Sequence, residues 1–237
     1  MSDRRSHDAG DRSDPTTVAA LRAALADHPL REEVTGARFE RMLRVASSRL
    51  RSVTVVLENL WDPHNVSAVI RSAEAIGIDE AHVVEQPHRF RINRGVARGA
   101  ERWLRIHRHA DVRSCLEHLR AAGFRTCAAD VGAGCQPLPA LPLDRPVAIV
   151  LGSEREGLTR EAKDLAELRF TIPMQGMTAS FNVSVSAAIT LWELCRRRRE
   201  ALAADGDLTL DQQVARVSAW LTRQAARRRL APPGPAS

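Results

Sequence analysis

The sequence predicts an α/β domain built on a mostly parallel β-sheet that is covered on both faces. Two observations carry this prediction. Short, continuous apolar runs such as VTVVLE and PVAIVLG are typical of strands that are buried on both faces. These runs alternate with longer segments of helical periodicity, and such alternation is typical of parallel strands joined by crossover helices.

The elements of this domain follow in order from residue 53. The helix after the first strand is predicted to begin at a cap residue, Asn65, and to end at Gly77. A second helix is predicted over 111–122, and the last one begins near Asn182. The predicted strands are the apolar runs VTVVLEN, AHVVE, RTCAAD, PVAIVLG and LRFTIP, and a short helix, TREAKDLA, precedes the last of them.

Helical segments are also expected on either side of this domain. Asp14 and Pro15 are typical of a helix start, and an amphipathic run follows at 39–50. A further amphipathic helix is predicted over 208–227. The sequence therefore predicts four parts in order: a disordered tail at 1–14, a helical extension at 15–50, the α/β domain at 51–203, and a helical extension with a tail at 204–237.

Composition narrows the class of protein. The chain has 237 residues and 44% hydrophobic residues, which suits one domain with a sizeable core. No apolar run approaches the ~18 residues of a membrane span, and the polar start lacks a signal peptide, so the cytoplasm is the expected location. The four cysteines form no C-x-x-C pair and no histidine completes a zinc pattern, so no metal site is expected.

The charge favours a polyanionic partner. The net charge is +6, and nearly all basic residues are arginines, whose planar fork suits phosphate. Basic residues concentrate in three runs, at 88–109, 195–200 and 226–230. Each run can also be a solvated face, and the arginine content can reflect genomic codon bias, so charge alone leaves nucleic-acid binding open.

Polar residues follow three of the predicted strands, in the segments ENLWDPHN, GSEREG and MQGMTASFN. Ligands of open parallel sheets bind at the carboxyl ends of strands, so these loops are the candidate site. In the third segment a strand ends at Pro173, and the small residues after Asn182 permit close backbone approach. Asn182 can equally be a helix cap with no further role.

The loop at 152–159 fits the phosphate-binding pattern G-x-x-x-x-G-K-[ST] except that Leu158 replaces the lysine. Glu154 and Glu156 would repel phosphates, and Lys163, the only lysine of the chain, lies too far along to substitute. The loop is therefore expected to hold a neutral or cationic ligand, and S-adenosylmethionine fits. A dinucleotide fingerprint in VGAGCQP is broken by Pro137, so an ATPase or dehydrogenase is disfavoured.

Three segments together resemble the motifs of one known family. ENLWDPHNVSAVIRSAEAIG, LGSEREGLT and IPMQGMTASFNVSVSAAI are similar, in order and spacing, to those of the SpoU–TrmH family of RNA ribose 2′-O-methyltransferases, of the SPOUT class. The resemblance covers about residues 50–200. It implies a deep C-terminal trefoil knot, which topology rules alone would not suggest, with S-adenosylmethionine as cofactor and a homodimer as the assembly.

The resemblance is strongest to the branch that methylates guanosine 18 in the D-loop of tRNA. It implies tRNA as the substrate, and the alternatives are the same chemistry on ribosomal RNA and a non-catalytic RNA-binding protein of the same fold. Ala179 replaces a residue that is polar in that branch. Leu191 and Trp192 could lie at the dimer interface, although Trp192 could equally be a core residue.

The resemblance also implies the residues of the site. Those implied to contact the cofactor are Gly152, Ile172, Phe181, where the family usually has leucine, and a less certain fourth, Ala129. The catalytic set implied by the motifs is Arg71, Asn65, Glu154, Ser180 and Asn182.

The role of Arg71 stays open at this stage. The family proposal makes the arginine the base, assisted by a substrate phosphate bound near Ser180. A guanidinium stays protonated at neutral pH, so an equally good interpretation is that Arg71 stabilises the developing alkoxide and clamps the phosphate. A purely structural alternative is an i, i+3 ion pair with Glu74.

Overall fold

The structure, a computed structural model, describes residues 14–60, 62–85, 90–153 and 156–230. The chain divides into two compact units. One comprises Arg49–Ala203, and the other combines the residues up to Ser48 with those from Ala204 onward.

The larger unit is built on one seven-stranded sheet in which every described strand pair is parallel. The strand order is β3-β2-β1-β6-β4-β7-β5, so the fold is the α/β class that the sequence predicts. The strands are β1 (Val53–Glu58), β2 (Glu80–Val84), β3 (Arg105–His109), β4 (Arg125–Ala129), β5 (Gln136–Pro137), β6 (Val147–Leu151) and β7 (Leu168–Thr171).

Strands β3 and β5 were not among the predicted strands. Both lie at an edge of the sheet, where one side of the strand pairs with no other strand among the described residues. The sequence of β3, RIHRH, is mostly polar and carries two arginines. Charged side chains are common on edge strands, where they prevent pairing with a further strand. A rule that looks for continuous apolar runs finds the buried strands and misses the edges.

Helices cover both faces of the sheet. α3 (Pro63–Ile76) and α7 (Val183–Leu202) pack against one face, while α5 (Val112–Ala121) and α6 (Arg160–Leu165) pack against the other. Strand β1 contributes to both cores, since Val55 and Leu57 point to the first face and Val56 to the second. A short helix, α4 (Arg94–Ala97), and 3₁₀ turns at Ala100–Arg102 and Leu138–Ala140 complete the unit.

The start of α3 differs from the prediction. Asp62, not Asn65, is the cap residue: its carboxylate accepts from the His64 N–H at 2.9 Å, and Pro63 occupies the first helical position. Asp62 and Pro63 match the cap-then-proline preference of helix starts, and the Asn65 side chain is left for other contacts. Gly77, with φ of 94°, ends this helix as predicted.

The arginine run at 195–200 has a structural use. Arg197, Arg198 and Arg199 of α7 turn inward and donate to loop and helix-end carbonyls. Their acceptors are Leu141 O at 2.7 Å, Leu143 O at 2.8 Å and Ile76 O at 2.9 Å, respectively. Arg196 pairs with Glu193 and Glu200. This run is therefore not a free basic patch.

The second unit is helical and is formed by both ends of the chain. α1 (Pro15–Ala24), α2 (Gly36–Ser47) and α8 (Leu210–Leu230) pack together, with a 3₁₀ turn at Arg31–Glu33. Its buried side chains include Leu21, Leu25, Phe39, Leu43, Val217, Trp220 and Leu221. Among the described residues of the chain, no helix is both long and apolar enough to span a membrane.

Candidate active site at the carboxyl ends of the strands

A cavity of about 590 Å³ lies at the carboxyl ends of β6, β4 and β7, which are neighbours in the sheet. This is where open parallel sheets bind ligands, and the volume suits a small molecule. The structure brings together there the four residues implied to contact a cofactor, and two of the implied catalytic residues. These are Ala129, Gly152, Ile172 and Phe181, with Ser180 and Asn182.

The loop after β6 closes tightly on itself at Gly152. Ser153 and Gly157 exchange two backbone hydrogen bonds, of 3.2 and 2.9 Å. A Cβ atom on Gly152 would lie 2.2 Å from the carbonyl carbon of Gly157 and 2.3 Å from the Leu158 nitrogen, so only glycine fits. Gly157 has φ of 68°, which also favours glycine. The loop thus forms one wall of the cavity from backbone groups.

Leu158, at the position of a phosphate-gripping lysine, is a core residue. Its side chain is buried among the apolar residues under α5 and α6. The next residue, Thr159, caps α6 and is fixed by the buried carboxylate of Glu58, which accepts from its N–H at 3.0 Å and its hydroxyl at 2.5 Å. The loop is therefore anchored to β1 by protein groups, with no phosphate needed.

Two charged residues that the sequence analysis did not select also line the cavity. Lys163 reaches it, contrary to the expectation that this lysine lies too far away, because α6 turns back over the loop. Its ammonium donates to Asp130 Oδ1 at 3.0 Å, and Arg169 lies 3.7 Å from the same carboxylate. The lysine is thus already neutralised, which leaves the conclusion about phosphate unchanged.

Asp130 stays ionised at neutral pH. Burial alone would raise the pKa of this carboxyl, but the hydrogen bonds from Lys163 and the Val131 N–H, with the charges of Lys163 and Arg169, lower the pKa overall. Asp130 directly follows β4. Asp130 could have been predicted from the sequence, because it is a polar residue directly after a predicted strand, like those at the three selected strand ends.

Two of the implied catalytic residues are joined by a hydrogen bond. Asn182 caps α7 by accepting from the Ser184 N–H at 2.9 Å, as predicted, and its amide donates to Asn65 Oδ1 at 3.2 Å. The Asn65 amide in turn donates to Asp62 Oδ2 at 3.1 Å. These two hydrogen bonds join the first turns of α3 and α7 beside the cavity. Asn182 can therefore cap α7 and also take part in the site.

Arg71 lies outside the cavity lining. It is exposed on α3, six residues and about 9 Å of helix rise beyond Asn65. One guanidinium nitrogen donates to Val96 O at 3.5 Å. Glu74, the alternative partner, instead forms an ion pair with the buried Arg49 at 2.9 Å.

The remaining predicted residues have mixed outcomes. Glu154 lies outside the described residues, so its role stays a prediction. Ser180 and Phe181 are exposed at the cavity wall. The side chain of Phe181 is 40% exposed, so the aromatic ring that replaces the usual leucine is open to a ligand.

Comparison with known proteins places these features in a family. The model of the SpoU rRNA Methylase family matches residues 52–192. The chain is 35% identical to the tRNA (guanosine(18)-2′-O)-methyltransferase of Escherichia coli K12, over 69% of this chain and 72% of that protein. It is 34% identical to the Thermus thermophilus protein of the same name, over 71% of this chain and 87% of that protein.

Solved structures agree with this placement. An Aquifex aeolicus structure described as a TrmH/SpoU tRNA modifying enzyme has a TM-score of 0.72 and 25% identity, covering 79% of this chain and 96% of that chain. The SpoU methyltransferase AviRb from Streptomyces viridochromogenes, solved in complex with AdoMet, has a TM-score of 0.55 and 26% identity, covering 62% of this chain and 60% of that chain.

Proposed function

The chain belongs to the SpoU rRNA methylase family, and from this premise we propose that it transfers a methyl group from S-adenosylmethionine to the ribose 2′-oxygen of guanosine 18 in the tRNA D-loop. One observation carries the proposal: the loops of the second and third motifs meet around one cavity at the end of β4, with every residue of the implied cofactor set in its lining. The first motif adjoins this cavity through the hydrogen bond between Asn65 and Asn182. The names of the E. coli and T. thermophilus relatives support tRNA as the substrate class.

The residues of the cavity fit S-adenosylmethionine. Backbone groups of the Gly152 loop form a wall with no side chain in the way, and the Asp130 carboxylate offsets the positive charges of Lys163 and Arg169 beside it. The one lysine is held by Asp130, so the described part of the lining offers no free ammonium to repel a sulfonium. The cofactor, when bound, supplies a methyl group on that sulfonium. Gly152, Ile172, Phe181 and Ala129 would hold it.

The protein's task in the reaction is to position a ribose hydroxyl and stabilise the charge that develops on its oxygen. Ser180 and Asn182 stand at the cavity edge, where a ribose with its phosphate would enter. The amide pair Asn65–Asn182 holds this edge in place. Since both belong to segments implied to be catalytic, we assign them to substrate positioning.

We assign Arg71 to the RNA phosphate and the developing alkoxide. Its guanidinium is exposed and, within the described part of the chain, is held by one long hydrogen bond to Val96 O, so RNA can recruit it at little cost. Arg94 and Arg98, on either side of Val96, are also exposed. The planar guanidinium group of arginine suits bidentate contact with phosphate. Glu154 is kept as a candidate catalytic residue.

We further propose that the enzyme is a homodimer and that the trefoil knot implied by the family is present. Beside the cofactor cavity lies an apolar groove of about 530 Å³. Trp192, in its lining, is 63% exposed, so it is not the core residue that was the alternative. Ile172 lines both groove and cavity, which joins the proposed interface to the site. The groove residues are Leu138, Pro139, Ile172, Pro173, Ala188, Ile189, Trp192 and Glu193.

The test is a tritiated-methyl assay with unmodified tRNA and ribosomal RNA transcripts, followed by mapping of the 2′-O-methylated nucleotide. We expect label in tRNA at guanosine 18. Label in ribosomal RNA only would overturn the substrate, and absence of transfer together with absence of S-adenosylmethionine binding by calorimetry would favour a non-catalytic RNA-binding protein. Arg71→Ala is expected to lose about 100-fold or more in turnover, with Arg91→Ala, an exposed arginine of the basic segment, as the control.

A further inference from the structure

A cluster of histidines lies at the opposite edge of the sheet from the cofactor cavity. Four histidines of the described residues lie there, on strands β2 and β3 and helix α5. The ring centroids of His82 and His107 are 4.8 Å apart, those of His82 and His109 5.3 Å, and those of His109 and His118 5.7 Å. Cys115 of α5 completes the group, buried against the sheet.

The fold, not the sequence spacing, assembles this cluster. Strands β2 and β3 pair in parallel with His82 opposite His107, and His109, two residues on, points to the same face. Helix α5 covers that face, and its Cys115 and His118 are three residues apart, so both lie on one side of the helix. The expectation of no metal site considered only spacings along the chain, which cannot reveal ligands that three elements contribute.

The donor atoms of His82, His109 and Cys115 all lie within 4.8 Å of one another. His82 Nδ1 and His109 Nε2 are 3.0 Å apart. Two imidazole nitrogens on one tetrahedral zinc ion, at bonds of about 2.0–2.1 Å, are separated by about 3.3 Å. The nitrogen pair therefore needs to open by only about 0.3 Å, and the thiol needs a shift on the order of 1 Å, to share one ion.

We propose that His82, His109 and Cys115 bind one zinc-class ion, with the exposed side chain of His118 swinging in as the fourth ligand. Two or three imidazoles with one thiolate form a donor set that suits a borderline-soft ion such as Zn²⁺ rather than Mg²⁺ or Ca²⁺. On binding, the Cys115 S–H bond breaks, its proton leaves to solvent, and the sulfur electron pair forms the metal bond.

The surroundings support this donor set. His82 is almost fully buried between the sheet and α5, so its ring is held in place beside His109 and Cys115. His109 is half-buried and His118 exposed, which gives the ion a route from solvent.

A second set, Glu80, His82 and His107, is close enough to bind an ion but is less suited. The Glu80 carboxylate already accepts from Arg105 at 2.9 Å and from His107 at 3.1 Å, and Arg51 lies 4.0 Å away. A dication there would have to compete with these arginines. Among the described residues, no arginine pairs with the ligand atoms of His82, His109 and Cys115. These three residues also span the edge strand β3 and helix α5, so an ion bound to them would link the two elements.

We infer that the bound ion has a structural role. It links β2, β3 and α5 and takes no part in methyl transfer. The test uses full-length, untagged protein freed of metal with a chelator and titrated with Co²⁺ and then Zn²⁺. We expect one equivalent of Co²⁺ to give visible d–d absorption and a near-ultraviolet thiolate-to-cobalt band, both removed by one equivalent of Zn²⁺. Saturating Zn²⁺ should raise Tm by roughly a few degrees.

The variants separate this site from its alternatives. Cys115→Ala should abolish the thiolate band, and His109→Gln should weaken Co²⁺ binding by about tenfold or more even if Cys115→Ala folds poorly. Cys127→Ala is the matched control, because this cysteine is equally buried on β4 and lies outside the cluster. Absence of stoichiometric binding, a band that survives Cys115→Ala, or loss of binding in His107→Gln with retention in His109→Gln would each overturn the proposal.

Discussion

Gly152 is the residue on which the shape of the cavity depends most directly. The loop after β6 returns so closely that the backbone of Gly157 and Leu158 fills the space where a side chain at 152 would be. Gly176, in the loop after β7, has nothing within 4 Å of its would-be Cβ among the described residues. Gly152 therefore has no room for a side chain, because the backbone approaches it closely, whereas Gly176 has room for one.

We expect Gly152→Ala to abolish S-adenosylmethionine binding and to lower Tm, because the loop must open by roughly 1 Å to remove the clash. Gly176→Ala should retain wild-type Tm and cofactor affinity. Calorimetric titration and thermal melting measure both variants. Cofactor affinity in Gly152→Ala equal to that of the wild type would show that this loop is not the cofactor wall.

Asp130 is the carboxylate that offsets the positive charges of Lys163 and Arg169 at the cavity. Because its pKa is lowered from 3.8, it remains a carboxylate throughout the neutral range. A carboxylate beside a ligand attracts a sulfonium and not the neutral thioether of S-adenosylhomocysteine. We therefore expect this charge to favour the reactant over its product, since without it Lys163 and Arg169 would repel the sulfonium.

Asp130→Asn should weaken S-adenosylmethionine binding by roughly tenfold, the scale for a charge pair several ångströms apart near a protein surface, and S-adenosylhomocysteine binding far less. The matched variant Lys163→Met, which removes one of the two cations beside the carboxylate, should keep or strengthen the preference for the cation. Calorimetric titration with both ligands measures it.

The pH dependence of this preference has a defined sign. A carboxyl group with a lowered pKa contributes to the ligand preference as long as it is ionised. This contribution is lost only as the pH falls through the lowered pKa. The ligand preference of the wild type should therefore be flat from about pH 5 to about pH 9. Equal weakening of both ligands in Asp130→Asn would show that the residue acts through packing and not through charge.

At the scale of elements, the first turns of α3 and α7 form the edge of the site. Each helix has its own cap, Asp62 for α3 and Asn182 for α7, and the amide of Asn182 also reaches Asn65. One side chain thus both begins a helix and fixes the spacing between two helices. Stability and positioning can be separated here, because an aspartate can accept the cap hydrogen bond but cannot donate to Asn65 Oδ1.

Asn182→Ala should lower the free energy of unfolding by about 1 kcal/mol through loss of the cap. Asn182→Asp should keep most of that stability and still lose methyl transfer, because the bridge to Asn65 is gone. Denaturant unfolding and the tritiated-methyl assay measure the two effects. Full activity in Asn182→Asp would mean that the bridge has no part in positioning the substrate.

At the scale of the whole molecule, the larger unit uses the two ends of its sheet differently. The β6-β4-β7 end carries the cofactor cavity and the adjoining apolar groove, while the β3-β2 edge carries the histidine cluster. A largely exposed tryptophan in an apolar groove is costly in water, and burial against a second copy would remove that cost. The proposed dimer and the proposed site are therefore linked through this end of the sheet.

Trp192→Glu should convert the protein to a monomer in analytical ultracentrifugation at micromolar concentration, since a carboxylate in an apolar interface is left unpaired. We expect S-adenosylmethionine affinity to fall as well, because Ile172 belongs to both groove and cavity. Leu202→Glu, a substitution of another exposed apolar residue of α7 that lies outside both groove and cavity, is the control for charge alone. A wild-type protein that sediments as a monomer would remove the dimer from the proposal.

The predicted loop after β1 lies outside the cavity lining, and the loop after β4 was not predicted. The sequence alone predicted the α/β class, the buried strands, and the cavity loops after β6 and β7. It could do so because apolar runs, caps and glycines act locally, and because parallel strands bring their carboxyl ends to one edge. Asn182 was predicted in this way as a helix cap, whereas Gly152 and Ile172 were implied by the family resemblance, and both line the cavity.

Only the tertiary structure decided what each side chain is used for. It decided that Asp62 caps α3 and leaves Asn65 to Asn182, that Lys163 is held by Asp130, and that the arginines at 197–199 donate to backbone carbonyls. It also brought His82, His109 and Cys115 together. These are pairings between residues far apart in the chain, and the choice of partner depends on packing, which no local pattern encodes.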